Sequence, residues 1–216
     1  MHRKELIEVL VVEDQIVVRK MIKAIVEQDA KFQVVAEAED GEKGVALAKK
    51  LHPDIVLMDI EMPNKNGIDA TGEVKMVCPR AKVIMLTTFG DDTEVLGSFS
   101  AGADGYCLKN ESMDMLPSVI SAVAKGAIWI DPGLSRRLHD IIVQLPPESA
   151  QLGFSKEEMS ILKLLVEGLN NAEIAQALNI EQDVLRNQLR HMLGKLSNCD
   201  QARSAAADLR ARLAQT

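Results

Sequence analysis

The stretch Asp54-Ile55-Val56-Leu57-Met58-Asp59-Ile60-Glu61-Met62-Pro63-Asn64-Lys65-Asn66-Gly67 constrains this chain most. Ile55 to Met58 are too few for a helix and lie between a proline and a run of turn formers, so they predict a buried parallel strand. That strand carries a carboxylate, Asp59, to its C-terminal end. In an open α/β sheet ligands bind in the crevice beyond the carboxyl ends of the strands, which places an acid there for chemistry. Asp59 also fits as the opening residue of the turn that Met62-Pro63-Asn64 and Gly67 complete. Residues at the other strand ends separate the two readings.

Taken from the start, Ile7 to Val12 is an apolar, largely β-branched run that ends in Glu13-Asp14, a second acidic strand tip. Ile16, Val17, Met21, Ile22, Ile25 and Val26 recur at helical spacing, with Arg19, Lys20 and Lys23 between them. A strand over Phe32 to Ala38 leads through Asp40-Gly41 into a helix, and the strand ending at Asp59 is third. A helix over Ile68 to Met76, weakened by Gly72, stops at Cys78-Pro79-Arg80. Lys82 to Leu86 is the fourth strand and delivers Thr87 and Thr88. Thr93 to Ala101 predicts the fourth helix, Gly105 to Leu108 the fifth strand, carrying Tyr106 and delivering Lys109, and Met113 to Lys125 the fifth helix. Five strands alternating with five helices require a parallel sheet wound on both faces by right-handed crossovers.

The strand tips then supply Glu13 and Asp14, Asp59, Thr87 and Lys109. Three carboxylates at one edge make a hard oxygen site of the kind Mg²⁺ accepts, keeping waters and adding a phosphate oxygen. A hydroxyl and an ammonium complete a phosphoryl-binding pocket. A carboxylate attacking phosphorus needs the charge on the transferred oxygens neutralised, and a metal with a lysine does this. Asp59, at the centre, is the nucleophile in this reading.

These residues carry a resemblance. Val11-Val12-Glu13-Asp14, Asp54-Ile55-Val56-Leu57-Met58-Asp59-Ile60-Glu61-Met62-Pro63, Met85-Leu86-Thr87-Thr88 and Gly105-Tyr106-Cys107-Leu108-Lys109 are similar to the motifs of a two-component receiver domain. The resemblance implies that Asp59 accepts phosphate from a sensor histidine kinase. It also implies that Glu13 and Asp14 hold Mg²⁺ with Asp59 and a main-chain carbonyl at Glu61, that Thr87 and Lys109 bind the phosphoryl group, and that Thr87 and Tyr106 form the switch. Tyr106 is expected to move inward as the aspartyl phosphate draws in Thr87, with dimerisation as the consequence. Receivers often carry proline after the lysine, whereas Asn110 stands here.

Gly126 to Leu152 reads as a junction. Asp131-Pro132-Gly133 opens a short helix with Leu134, Leu138, Ile141 and Ile142, and residues 145–150 form a linker. Beyond it, Ser155 with Glu158 three residues later is a helix-start box. Further helices are expected over Glu173 to Leu178, capped by Asn171, over Asp183 to Leu196, and over Ala202 to Leu213. Two helices joined by a tight turn, the second longer and bearing Arg186, Asn187, Arg190 and His191 on one side, suggest DNA binding. The run from Ile161 to Ala175 and the run from Leu189 to Leu196 resemble the four-helix output domain of the NarL/FixJ (LuxR-type) regulators, and Lys195 is expected to contact DNA together with Arg186, Asn187, Arg190 and His191. By that resemblance Arg186 and Arg190 fill base-reading positions, and arginine is the commonest reader of guanine edges. Ala172, Glu181, Asp183, Val184 and Gly194 replace residues that in the family are basic or small and polar, which removes phosphate contacts.

The expected architecture is therefore α/β: a (βα)5 flavodoxin-like doubly wound parallel sheet at 1–126, a linker with a short helix at 127–151, and a smaller all-α four-helix helix-turn-helix domain at 152–216. Charge agrees only with part of this. Residues 1–130 hold 15 Lys+Arg against 21 Asp+Glu, while residues 152–216 hold 8 of each. No segment approaches about 20 uninterrupted apolar residues and no signal region opens the chain, so a cytosolic protein without membrane contact is expected. Cys78, Cys107 and Cys199 lack paired metal-ligand spacing and read as small apolar fillers. Two functions remain open from sequence: a phosphorylation-switched transcription factor that dimerises on DNA, and a receiver controlling a protein-interaction module that has lost DNA affinity. A haloacid-type phosphatase would need a second aspartate two residues after Asp59, where Glu61 stands.

Overall fold

The structure is a computed structural model and describes residues 6–88, 95, 97–99, 101–110, 113–131, 154–167, 169 and 171–197. The chain divides into two compact units, Met1–Phe89 with Ala101–Trp129 and Gly90–Ser100 with Ile130–Thr216.

In the first unit, β1 (Ile7–Val12), β2 (Phe32–Ala38), β3 (Ile55–Asp59), β4 (Lys82–Thr87) and β5 (Gly105–Leu108) lie in one sheet in the order β2-β1-β3-β4-β5, joined at the edge by β6 (Trp129–Ile130). The four pairings among β1 to β5 are parallel. All five residues of β3 are buried, as a central strand covered on both faces requires. The helices are α1 (Ile16–Val26), α2 (Gly41–Leu51), α3 (Gly67–Val77) and α4 (Leu116–Ala124).

Side-chain alternation sorts the core into two layers. Val9, Val11, Ile55, Leu57, Ile84, Leu86 and Cys107 pack with Ile22 and Val26 of α1 and with Leu116, Val119, Ile120 and Val123 of α4. Each such aliphatic side chain removed from water contributes about 1.5–3 kcal/mol before the entropy of ordering it is counted. On the other face Thr71 Oγ1 of α3 lies 3.2 Å from Met85 Sδ, and Gly44 of α2 comes so close to Val12 that an added Cβ would lie 2.9 Å from its Cγ1.

Two expectations for the sheet and its helices need correction. The sheet has a sixth strand: two residues carry no periodicity, and β6 is held instead by the Trp129 N–H donating to the Asp104 carbonyl at 3.1 Å. The last receiver helix does not begin as an α-helix at Met113. Met113–Met115 is a single 3₁₀ turn and α4 starts at Leu116, because Pro117 is tolerated only in a helix's first turn. Of the helix expected over Thr93 to Ala101, residues 95, 97–99 and 101 are described; 95 and 97–99 are helical, and Ala101 lies in a turn. The short helix after Asp131, the 145–150 linker and the helix over Ala202 to Leu213 lie outside the described residues.

The second unit contains α5 (Lys156–Val166), α6 (Asn171–Ala177) and α7 (Gln182–Ser197). Ser155 and Glu158 form the predicted box reciprocally: the Ser155 N–H donates to Glu158 Oε2 at 2.7 Å and the Glu158 N–H to Ser155 Oγ at 3.1 Å. Asn171 is the first residue of α6 and not its cap. Between α6 and α7, Asn179 takes a left-handed conformation (φ 52°), which asparagine tolerates and which allows the tight turn. Ile161, Ile174, Ala175, Leu185, Leu189 and Met192 form the buried face.

Candidate metal and phosphoryl-binding site

Strand register brings the predicted residues to one edge. Val12 pairs with Met58, so Glu13 follows β1 level with Asp59, the last residue of β3, which itself pairs with Leu86. Thr87 pairs with Leu108, and Lys109 is locked one step beyond by its N–H donating to the Thr87 carbonyl at 2.7 Å. Residues up to 96 positions apart in sequence thus meet at the C-terminal ends of four adjacent strands.

The centre is a largely buried charge cluster, with Asp14 and Lys109 half-buried at its edge. Lys109 Nζ donates to Glu13 Oε2 at 2.6 Å and to Asp59 Oδ1 at 2.7 Å. Glu13 is fully buried, Asp59 is 4% exposed and Thr87 is 2% exposed. Glu13, Asp14 and Asp59 each offer a carboxylate oxygen, all within 4.8 Å of one another. Two ligands on opposite sides of a cation with metal–oxygen distances of about 2.1 Å lie roughly twice that apart, so the spacing suits a small divalent ion after slight closure. The second mark of such a site is Asp14 Oδ1, which is buried yet has no hydrogen-bond partner among the described residues. A buried carboxylate oxygen left without a donor is costly, and a cation beside it removes that cost. The residues present therefore fit a divalent metal. Glu61 is exposed, two residues past Asp59. Tyr106 is already fully enclosed, so the inward swing expected of it does not start from this conformation.

Burial pushes the Asp59 carboxyl above the usual carboxylate range; the Lys109 hydrogen bond and charge oppose the shift, and the Asp14 charge adds to it. Burial also raises Glu13, against the Lys109 hydrogen bond and with the Asp59 charge. Lys109 is held above the usual lysine range: burial disfavours its ammonium, but the hydrogen bonds to Asp59 and Glu13 outweigh that. Between the ordinary carboxyl range and these raised values the folded chain binds more protons than the unfolded one, so stability falls as pH rises through that window. In chelator, Asp59→Asn should therefore unfold at a higher temperature than the natural chain at pH 7, with the gap closing on acidification. A gap that widens on acidification would show that ionised Asp59 stabilises the fold.

Two supports of the site were not legible in the sequence. By sequence Gly67 is a turn former, but its backbone lies against the end of β3: an added Cβ would fall 1.8 Å from the Asp59 carbonyl oxygen. By sequence Arg19 is a polar residue between apolar helix positions, but its side chain turns back to the loop that carries Glu13 and Asp14. Neither contact follows a helix or strand period.

In the second unit Val184, Asn187 and His191 are exposed on α7, while the side chains of Arg186 and Arg190 lie outside the described residues. Two candidate DNA contacts are engaged within the domain. Lys195 Nζ donates to both oxygens of Glu158, at 3.0 and 2.9 Å, and His191 Nδ1 lies 3.1 Å from Glu158 Oε1. Glu158 is 4% exposed, and burial is outweighed by Lys195, the Ser155 N–H and His191, which hold its carboxyl below the usual range. One carboxylate thus starts α5 and pins it to α7.

Residues 9–121 match the response regulator receiver domain, and residues 152–206 match the bacterial regulatory proteins of the luxR family. The transcriptional regulatory protein LiaR of Bacillus subtilis (strain 168) is 35% identical over 205 residues, covering 93% of this chain and 95% of that one. The transcriptional regulatory protein DegU of Brevibacillus brevis is 30% identical over 220 residues, covering 94% and 93%. The crystal structure of a two-component response regulator of the LuxR family from Aurantimonas sp. SI85-9A1 matches with a TM-score of 0.62 at 28% identity, covering 65% of this chain and 100% of that one. No helix among the described residues is long and apolar enough to cross a membrane. Receiver and helix-turn-helix follow one another in one chain, and the match to full-length regulators runs through both; the protein belongs to the NarL/FixJ family of two-component response regulators, in which phosphorylation of the receiver controls a DNA-binding output domain.

Proposed function

We propose that Asp59 is the phosphoacceptor, with Mg²⁺ held by Glu13, Asp14, Asp59 and the Glu61 carbonyl, and with a sensor histidine kinase as donor. The observation that carries this is the juxtaposition at Asp59: a buried carboxylate with Lys109 Nζ at 2.7 Å on one side and the Glu13–Asp14 pair on the other. A carboxylate oxygen of Asp59 attacks phosphorus, the P–N bond to the kinase histidine breaks, and its electron pair remains on the imidazole nitrogen. Lys109, released in part from Glu13, balances charge on the phosphoryl oxygens, and the Thr87 hydroxyl donates to one of them. A divalent metal held by Glu13, Asp14 and Asp59 would supply the remaining neutralisation of carboxylate and phosphate charge. Moving a two-state balance from 1:99 to 99:1 requires about 5.5 kcal/mol of differential binding, which contacts of the phosphoryl dianion with the metal, Lys109 and Thr87 would have to supply.

The output is a dimer that places α7 of each copy in successive major grooves, with half-sites about 10 bp apart. Arg186 and Arg190 read bases, and Asn187 and His191 lie along the same helix. Residues 152–200 hold only 5 Lys+Arg against 7 Asp+Glu, and one of the five, Lys195, is engaged by Glu158. Few phosphates can be neutralised, so the salt dependence of DNA affinity, roughly −0.9 in log–log slope per phosphate, should be shallow. Titrating a selected site across salt concentrations checks this, and a steep slope would place the DNA contacts on basic groups outside α7. The phosphoacceptor assignment is tested by labelling with acetyl phosphate: label is expected with Mg²⁺ and absent in chelator. Sedimentation in beryllofluoride then reads the switch, and an unchanged monomer counts against dimerisation.

A further inference from the structure

We infer that Arg19 is a positioning residue for the metal: it fixes the main chain of Glu13 and Asp14 so that their carboxylates are presented to the cation ready-aimed. This rests on the metal reading of the Glu13, Asp14 and Asp59 cluster. Arg19 Nη1 donates to two successive carbonyls, those of Glu13 and of Asp14, the latter at 3.2 Å. One planar nitrogen holding two consecutive carbonyls orients both peptide planes, and with them the directions in which the Glu13 and Asp14 side chains leave the chain.

The loop needs such a holder. Gln15, at the N-cap of α1, makes no side-chain capping bond, and the first turn of α1 contains no acid. Beyond the strand ladder the loop has the Glu13 N–H donating to the Ala38 carbonyl at 3.0 Å and the Gln15 N–H donating to Glu13 Oε1 at 3.2 Å. Neither restrains Asp14, whose Oδ1 stands without a hydrogen-bond partner among the described residues. Arg19 is itself kept in place. Its side chain is 11% exposed and its Nε lies 3.7 Å from Glu37 Oε2, while Lys20 at 3.0 Å and Lys23 at 3.2 Å hold the same carboxylate from the outside. The guanidinium therefore reaches the acid pair through its backbone and leaves the carboxylates free for the ion. Outer groups that orient metal ligands typically govern affinity by 10–100-fold.

Charge and positioning make opposite predictions. Arg19 is a cation beside the loop that carries Glu13 and Asp14, so deleting it for charge alone should tighten metal binding. Positioning predicts weaker binding. The experiment is Mn²⁺ titration of the full chain, read by electron paramagnetic resonance of the free ion with Mg²⁺ as competitor and circular dichroism as a check on folding. Arg19→Ala should raise the Mn²⁺ Kd about tenfold or more. Arg19→Lys, which keeps the charge and one donor, should fall between it and the natural chain. The Mg²⁺ concentration for half-maximal acetyl phosphate labelling should rise in step, with the rate at saturating metal little changed. An unchanged or lowered Kd in Arg19→Ala overturns the inference, provided that Asp14→Ala weakens binding. If Asp14→Ala leaves Mn²⁺ affinity intact, the metal site itself is wrong. Should Arg19→Ala not fold, Arg19→Lys decides, and a Kd equal to that of the natural chain overturns the proposal.

Discussion

Asp59→Asn is expected to take no label from acetyl phosphate at any Mg²⁺ concentration, while remaining at least as stable as the natural chain. The amide keeps the shape of the carboxylate and can still meet Lys109, but it has no charged oxygen to attack phosphorus. Loss of the nucleophile removes the reaction altogether, whereas loss of a neighbour only slows it. Asp14→Ala should accordingly weaken labelling through metal affinity and leave residual label at high Mg²⁺, and Lys109→Ala should slow the step by removing charge that faces the transferred oxygens. Intact label in Asp59→Asn would move the phosphoacceptor elsewhere. A candidate would then have to be sought among the other acids of the cluster, Glu13 and Asp14.

The second large effect belongs to Gly67. Its added Cβ would lie 1.8 Å from the Asp59 carbonyl oxygen, 2.8 Å from the Asp59 carbonyl carbon and 3.0 Å from Ile60 Cα. All three are backbone atoms, so no side-chain rotation relieves the clash. The Gly67 N–H donates to the Ile60 carbonyl at 2.9 Å and the Gly67 carbonyl accepts from the Thr71 hydroxyl at 2.7 Å, which ties the start of α3 to the end of β3. Gly67→Ala must push these apart, at a cost of about 3 kcal/mol, the upper end of ordinary overpacking. It should also slow labelling, since a displacement of about 1 Å at a reacting group can cost on the order of 100-fold. Gly72 provides the contrast within the same helix. A Cβ there meets nothing within 4 Å, so Gly72→Ala should stabilise by about 0.5–1 kcal/mol. Urea unfolding of the two variants checks both signs. A Gly67→Ala chain as stable as the natural one would mean that the β3–α3 junction yields far more easily than its backbone packing suggests.

The sheet was legible because each central strand is a short, unbroken aliphatic run with a chemical residue at its end. β1, α1 and β2 have the bounds that periodicity and β-branching predict, and Asp59, Glu13 and Lys109 meet because parallel strands share one C-terminal edge. What escaped the sequence depends on contacts without period. Arg19 acts on carbonyl oxygens, which every residue possesses, so its identity gave no hint of its target. Gly67 looked like any turn glycine, because closeness to the Asp59 carbonyl is fixed by how α3 docks and not by local sequence. β6 is two residues long, below the length at which alternation can be seen. Glu158 was visible as a capping acid through its spacing from Ser155, but its hold on Lys195, 37 residues away, was not, and Lys195 was consequently assigned to DNA alone.

Phosphorylation of Asp59 and DNA binding by α7 should be coupled in the full chain. The direct measurement is the affinity of the full chain, by fluorescence anisotropy, for a sequence enriched from a random pool, in Mg²⁺ with and without beryllofluoride, for the natural chain and for Asp59→Asn. The account predicts that beryllofluoride tightens binding of the natural chain, with half-sites about 10 bp apart, and leaves Asp59→Asn at its basal affinity. Equal affinity of the natural chain in both conditions, or the same tightening in Asp59→Asn, would contradict it.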